Sequence, residues 1–130
     1  MKYTIAEISA SLEAAYYHLR QMTEFVFEWN GKVQEASREL ASAKQAIILA
    51  NAEDPKKLGA NEAARNAAID DLTRDQRGHL LGCEAALAQH RHNLELARLE
   101  VEHWRAQLRC IEAFVATGEL EGAHGIVLKV

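Results

Sequence analysis

Four arginines raise the first chemical question. Arg77, Arg91, Arg98 and Arg105 are separated by multiples of seven residues. On a helix that spacing returns to nearly the same side, so the guanidiniums would form a row. In an antiparallel pairing the row would lie beside Ser9, Tyr16, Thr23, Asn30, Ser37 and Lys44, a set without an acid. Rigid, always-charged forks beside hydroxyls, amides and a tyrosine can hold a phosphate backbone or an acidic protein segment. Arg77, Arg91, Arg98, Arg105 and Tyr16 are therefore the candidate binding residues. Two features work against the row. Glu95 and Glu102 lie four residues after Arg91 and Arg98 and can neutralise them, and arginine stems in such positions also simply cover a seam.

Other reactive types are sparser. His79 and Cys83 are four apart on a helical face and offer two ligands, but a zinc site needs four, or three and water. His90 interrupts an apolar stripe, as a satisfied core histidine or a polar residue that fixes register. Asp70, Asp71 and Asp75 cluster at a helix boundary, where solvated acids are common. No nucleophile elbow, phosphate loop or catalytic carboxylate pair is present. The expectation is a protein that is not an enzyme, with no cofactor and no metal.

The elements that must carry these residues are written in sevens. Alternating steps of three and four from Ile5 give Ile8, Leu12, Ala15, Leu19, Met22, Val26, Trp29, Val33, Ala36, Leu40, Ala43, Ile47 and Ala50, all apolar. The same steps from Leu80 give Cys83, Leu87, His90, Leu94, Ala97, Val101, Trp104, Leu108, Ile111 and Val115. A strict 3.5-residue period held this long marks helices that pack lengthwise, because an ideal helix drifts off it. Two helices follow, 5–51 and 74–117, each roughly 65–70 Å long at 1.5 Å per residue. The simplest register sets Trp29 opposite Ala97, Met22 opposite Trp104, Ala36 opposite His90 and Ala43 opposite Cys83, so that large meets small.

Chemical punctuation supports these bounds. Thr4 with Glu7, and Thr73 with Gln76, have capping-box spacing. Asp54-Pro55 disfavours further helix, and Gly118 can take a left-handed C-cap. Asn30-Gly31 is a weak point in a helix that otherwise keeps its phase. Between the long helices, Asn61 can cap a short helix 61–71, with Glu62 near its positive end and able to pair with Arg65. The tail 119–130 ends in Ile126, Val127, Leu128 and Val130, which favour a short strand pairing with a symmetry mate or a partner.

The hairpin leaves apolar side chains over. Tyr16, Phe25, Phe27, Ile48 and Leu49 lie off the first seam, and Leu96, Leu99, Ala106, Cys110 and Ala113 form a second strip on the last helix. Such strips mark an interface. The expectation is a homo-oligomer, a dimer or tetramer, with Tyr16, Phe25, Phe27, Ile48, Leu96, Leu99 and Cys110 at its contacts. A short helix folded over the strips is the alternative.

Composition bounds the rest. The chain has 130 residues, 48% of them apolar, one proline and a formal charge of −4. That size suits one domain, and the charge argues against coating nucleic acid by bulk attraction. Cys83 and Cys110 would lie roughly 40 Å apart on one helix, too far for a disulfide. Reduced thiols, the lack of an apolar core in the first twenty-one residues and the absence of a long apolar run point to the cytoplasm rather than a membrane.

The connector, Leu58-Gly59-x-Asn61-Glu62-x-x-Arg65-x-Ala67-Ala68, resembles a segment of small coiled-coil proteins from phage and prophage genomes. Their recurring core is similar to G-x-N-x-x-R-x-A. The likeness covers about a dozen residues, Gly59, Asn61, Glu62 and Arg65 among them, plus the helix–connector–helix layout. That layout is also similar to the helical recombination mediator of T-even phages. The resemblance implies a bacterial cytoplasm, an accessory role in DNA recombination or repair, and no catalytic residue. The expected fold is all-α: 1–118 a long antiparallel helical hairpin, a coiled coil, with a short connector helix. The function expected first is oligomeric binding to nucleic acid or a recombinase. The alternatives are an anti-CRISPR-like inhibitor of host defence acting by protein binding, and a structural spacer.

Overall fold

A computed structural model describes residues 2–117 and 127–129. The fold is all-α, a helical hairpin of α1 (Ile5–Ala50) and α3 (Arg74–Thr117), joined through a 3-10 turn, Pro55–Lys57, and α2 (Glu62–Leu72). A short strand precedes α1, β1 (Lys2–Thr4), and another follows α3, β2 (Val127–Lys129). Two compact units divide the chain: residues 1–25 with 90–130, and residues 26–89.

Both seams face inward. On α1 only the terminal Ala50 of the fourteen seam positions is exposed; on α3 only Val115 is. In the first unit Ile8 and Ile111 are fully or almost fully buried, with Ile5, Trp104, Leu108 and Phe114 packed around them. Tyr3 and Trp104 meet in a T-shaped arrangement with ring centres 5.1 Å apart, and the Phe25 and His90 ring centres are 5.4 Å apart. In the second unit Ala36, Cys83 and Leu87 are buried.

The register expected from large-to-small matching is not the one formed. It would have set Ile8 opposite the residue after Thr117 and Phe25 opposite Val101. Instead Ile8 shares a cluster with Ile111, and Phe25 reaches His90. The pairing is slid by a heptad or more. A slide of seven carries a and d positions onto a and d positions, so the stripe alone cannot reject it. The strands bear on the choice: β2 pairs antiparallel with β1, Lys2 with Lys129, Tyr3 with Leu128 and Thr4 with Val127. The strand expected to seek a partner molecule therefore pairs within its own chain; the Ile126 and Val130 expected in it, and the Gly118 expected as a C-cap, lie outside the described residues.

Local chemistry explains most ends. The Glu7 amide donates to Thr4 Oγ1 at 3.1 Å, and the Thr4 amide donates to Glu7 Oε2 at 2.9 Å, closing a capping box. α1 passes Asn30-Gly31 unbroken and stops at Ala50, before Asp54-Pro55, with the Asn51 side chain donating to the Ile47 carbonyl. Asn61 caps α2 by accepting from the Ala64 amide at 2.8 Å.

The second expected capping box does not form. The Thr73 amide already donates to the Ile69 carbonyl, and its hydroxyl turns back to the same carbonyl at 2.8 Å. α2 runs almost directly into α3, so no open helix end remains for Gln76 to close. Thr73 is fully buried at this junction.

Candidate functional site

The arginines divide by surroundings. Arg77, in the second unit, is half-buried, and its Nε donates to the Asp70 carbonyl at 2.9 Å, with a second donor from the same guanidinium. It closes a backbone acceptor at the α2–α3 bend. In the first unit Arg91, Arg98 and Arg105 are exposed on α3, and Tyr16 is exposed on α1. Arg98 Nη1 lies 3.6 Å from Glu95 Oε2, three residues before it. The spacing of four residues instead matches Arg98 with Glu102 and Arg91 with Glu95.

The first unit also carries the second apolar strip. Leu96 and Leu99 are 52% and 51% exposed, and Ala106, Cys110 and Ala113 continue their face, all exposed. Steps of three and four join them through His103. α3 thus carries one buried and one exposed stripe, both at heptad spacing. Phe25 and Tyr16 are exposed on α1 in the same unit. Phe27, 82% exposed, and Ile48 belong to the second unit. Cys110 is an exposed free thiol and Cys83 a buried one.

The connector motif is a piece of local engineering in the second unit. A Cβ on Gly59 would lie 2.7 Å from the Ala64 carbonyl carbon and Cβ and 2.8 Å from the Arg65 amide nitrogen, so only glycine lets the turn approach α2 this closely. Asn61 caps the helix, and Glu62 sits in its first turn. Arg65 is half-buried over a hollow of about 380 Å³ with Ile48, Asn51, Leu58 and Ile69. The expected Glu62–Arg65 ion pair is not among those formed by the described residues. Asp70 and Asp71 are engaged by Lys44, at 3.9 Å, and by Arg74. Among the described residues no three His, Cys, Asp or Glu side chains converge to hold a metal.

One feature escaped sequence reasoning. In the second unit α1 and α3 flank a groove of about 610 Å³. Trp29, Lys32, Glu35 and Glu39 line it from α1; Gly78, His79, Gly82 and Cys83 line it from α3. Cys83 Sγ and His79 Nε2 are 3.8 Å apart within it. The signal that could have pointed here was Gly78-x-x-x-Gly82 inside a helix. Two glycines one turn apart cost helix stability and leave a notch on one face.

Comparison with protein families, with curated proteins and with solved structures gave no match. Among the described residues no helix is long and apolar enough to cross a membrane.

Proposed function

We propose that this chain is a non-enzymatic helical assembly and binding protein that works as a homo-oligomer. The observation that carries this reading is the exposed heptad stripe Leu96, Leu99, Ala106, Cys110 and Ala113 on α3. Hydrophobic side chains at this spacing gain by meeting a second copy of the same stripe. Each half-exposed leucine would contribute about 1 kcal/mol on burial. Four leucines in a dimer would amount to about 4 kcal/mol, close to a thousandfold in association. Light scattering of the wild type and of Leu96→Glu/Leu99→Glu tests it. An assembly that the variant dissolves supports the reading, and a wild-type monomer at tens of micromolar overturns it.

The setting proposed is that of a phage accessory protein in DNA recombination or repair, on the strength of the connector segment and the helix–connector–helix layout. Its partner is more readily a protein than nucleic acid. The charge is −4, Arg98 is matched by Glu95 and Arg77 is spent on a backbone carbonyl. The same observations favour a second reading, an inhibitor of host defence whose acidic surface occupies a basic channel. Salt-dependent single-strand DNA binding, lost when Arg91, Arg98 and Arg105 are all changed to Gln, would favour direct action on DNA over both protein-binding forms.

A further inference from the structure

We infer that the groove beside Trp29 is a receptor for an arginine side chain presented by a basic segment of a protein partner. The α3 wall of the groove is bare backbone at Gly78 and Gly82, and an ideal Cβ at either would meet nothing within 4 Å, so a large side chain at Gly82, on the flank of the seam, would stand over the groove. The walls suit a cation. Glu35 and Glu39, four apart on α1, are exposed at the groove, and neither forms an ion pair among the described residues. The Trp29 ring already takes one cation: Lys32 Nζ sits 4.1 Å from its centre, held also by Glu28 at 3.3 Å. An ammonium over an indole face marks where positive charge is attracted. A guanidinium is flat, weakly hydrated and forked, so it can stack on the indole while donating to carboxylates, which an ammonium cannot do as well. Lys32 therefore acts as an internal competitor that the guest displaces. The inference deepens the protein-binding reading but does not depend on self-association, since none of these residues lies on the Leu96–Ala113 stripe.

The test is a titration of the full chain with a short acetylated, amidated peptide bearing one arginine between glycines, read by the Trp29 indole N–H in NMR. Saturable shifts are expected, with the citrulline peptide, isosteric but uncharged, at least about tenfold weaker, the equivalent of one charge-assisted contact. Gly82→Leu fills the notch with a better helix former and should abolish the shifts while circular dichroism stays helical. Glu35→Gln/Glu39→Gln, a surface change, should weaken binding by a similar tenfold. Lys32→Ala should tighten it about two- to fivefold by removing the competitor. The inference is overturned by equal shifts with citrulline, by undiminished binding in Gly82→Leu, or by a lysine peptide or spermidine binding as tightly as arginine. Light scattering on the same samples reports self-association separately, so either idea can fail alone.

Discussion

Substituting alanine for two glycines of the second unit should move stability in opposite directions. At Gly59 the new Cβ would sit 2.7 Å from the Ala64 carbonyl carbon and Cβ, where ordinary contact begins near 3.4 Å. The connector must open by about 0.7 Å, the difference between those two distances. The obstacle is mainly backbone, which cannot rotate aside, and the Asn61 cap holds the Ala64 amide in place. Overpacking of this kind costs about 1–3 kcal/mol, and the stiffer unfolded chain returns about 0.4–1. A net loss of about 1–2 kcal/mol is expected. At Gly31, within α1, the new Cβ meets nothing, and alanine should gain about 0.8–1 kcal/mol. For 130 residues, at about 2.1 cal/mol/K of unfolding entropy per residue, 1 kcal/mol is about 4 °C in Tm. Gly59→Ala should melt about 4–7 °C lower and Gly31→Ala about 3–4 °C higher, in urea as in heat. Scans at two protein concentrations separate unfolding from dissociation. A neutral or stabilising Gly59→Ala would refute the close approach, and a destabilising Gly31→Ala would refute a continuous, open helix at that point.

Ile8→Ala should cost about 2–5 kcal/mol, because Ile8 is fully buried against Ile111 and truncation loses that burial and leaves a cavity; a urea midpoint within error of wild type would remove Ile8 from the core. Asn61→Ala deletes the acceptor for the Ala64 amide and should cost about 1 kcal/mol, with Asn61→Asp retaining most of it; equal melting of all three would show that the cap is immaterial. In alkylation by a thiol reagent, Cys110 should react at the rate of an exposed thiol and the largely buried Cys83 much more slowly. Because Cys110 lies on the apolar stripe, its rate should fall as protein concentration rises, and a rate independent of concentration would count against that stripe as the contact between copies.

Much of the helical architecture was legible because it depends on local repetition. Stripes at steps of three and four make Ile5–Ala50 and Arg74–Thr117 helical whatever they pack against, and Thr4-Glu7 and Asn61 announce their caps through bonds only three residues long. The Thr73-Gln76 spacing carried the same announcement and proved empty, because α2 arrives with its own carbonyl in the place a cap would fill. A short-range signal is read correctly only if the neighbouring element leaves the group free. The candidate site was less visible still. Glu35 and Glu39 come from one helix and Gly78 and Gly82 from the other, and no local pattern in either segment refers to the other.

The residues alone determined that there are two long amphipathic helices, a capped connector and an unspent apolar stripe, since each follows from side-chain spacing on a single helix. Tertiary structure decided the rest. It chose one register among slides of seven that a heptad seam cannot tell apart, and it turned β2 onto β1. It drew Arg77 from a row of charges to a backbone carbonyl, and it opened a notch beside Trp29. The physical reason is common to all four. A periodic stripe fixes which face is buried, whereas position along that face is fixed only when specific, non-repeating groups from distant segments meet.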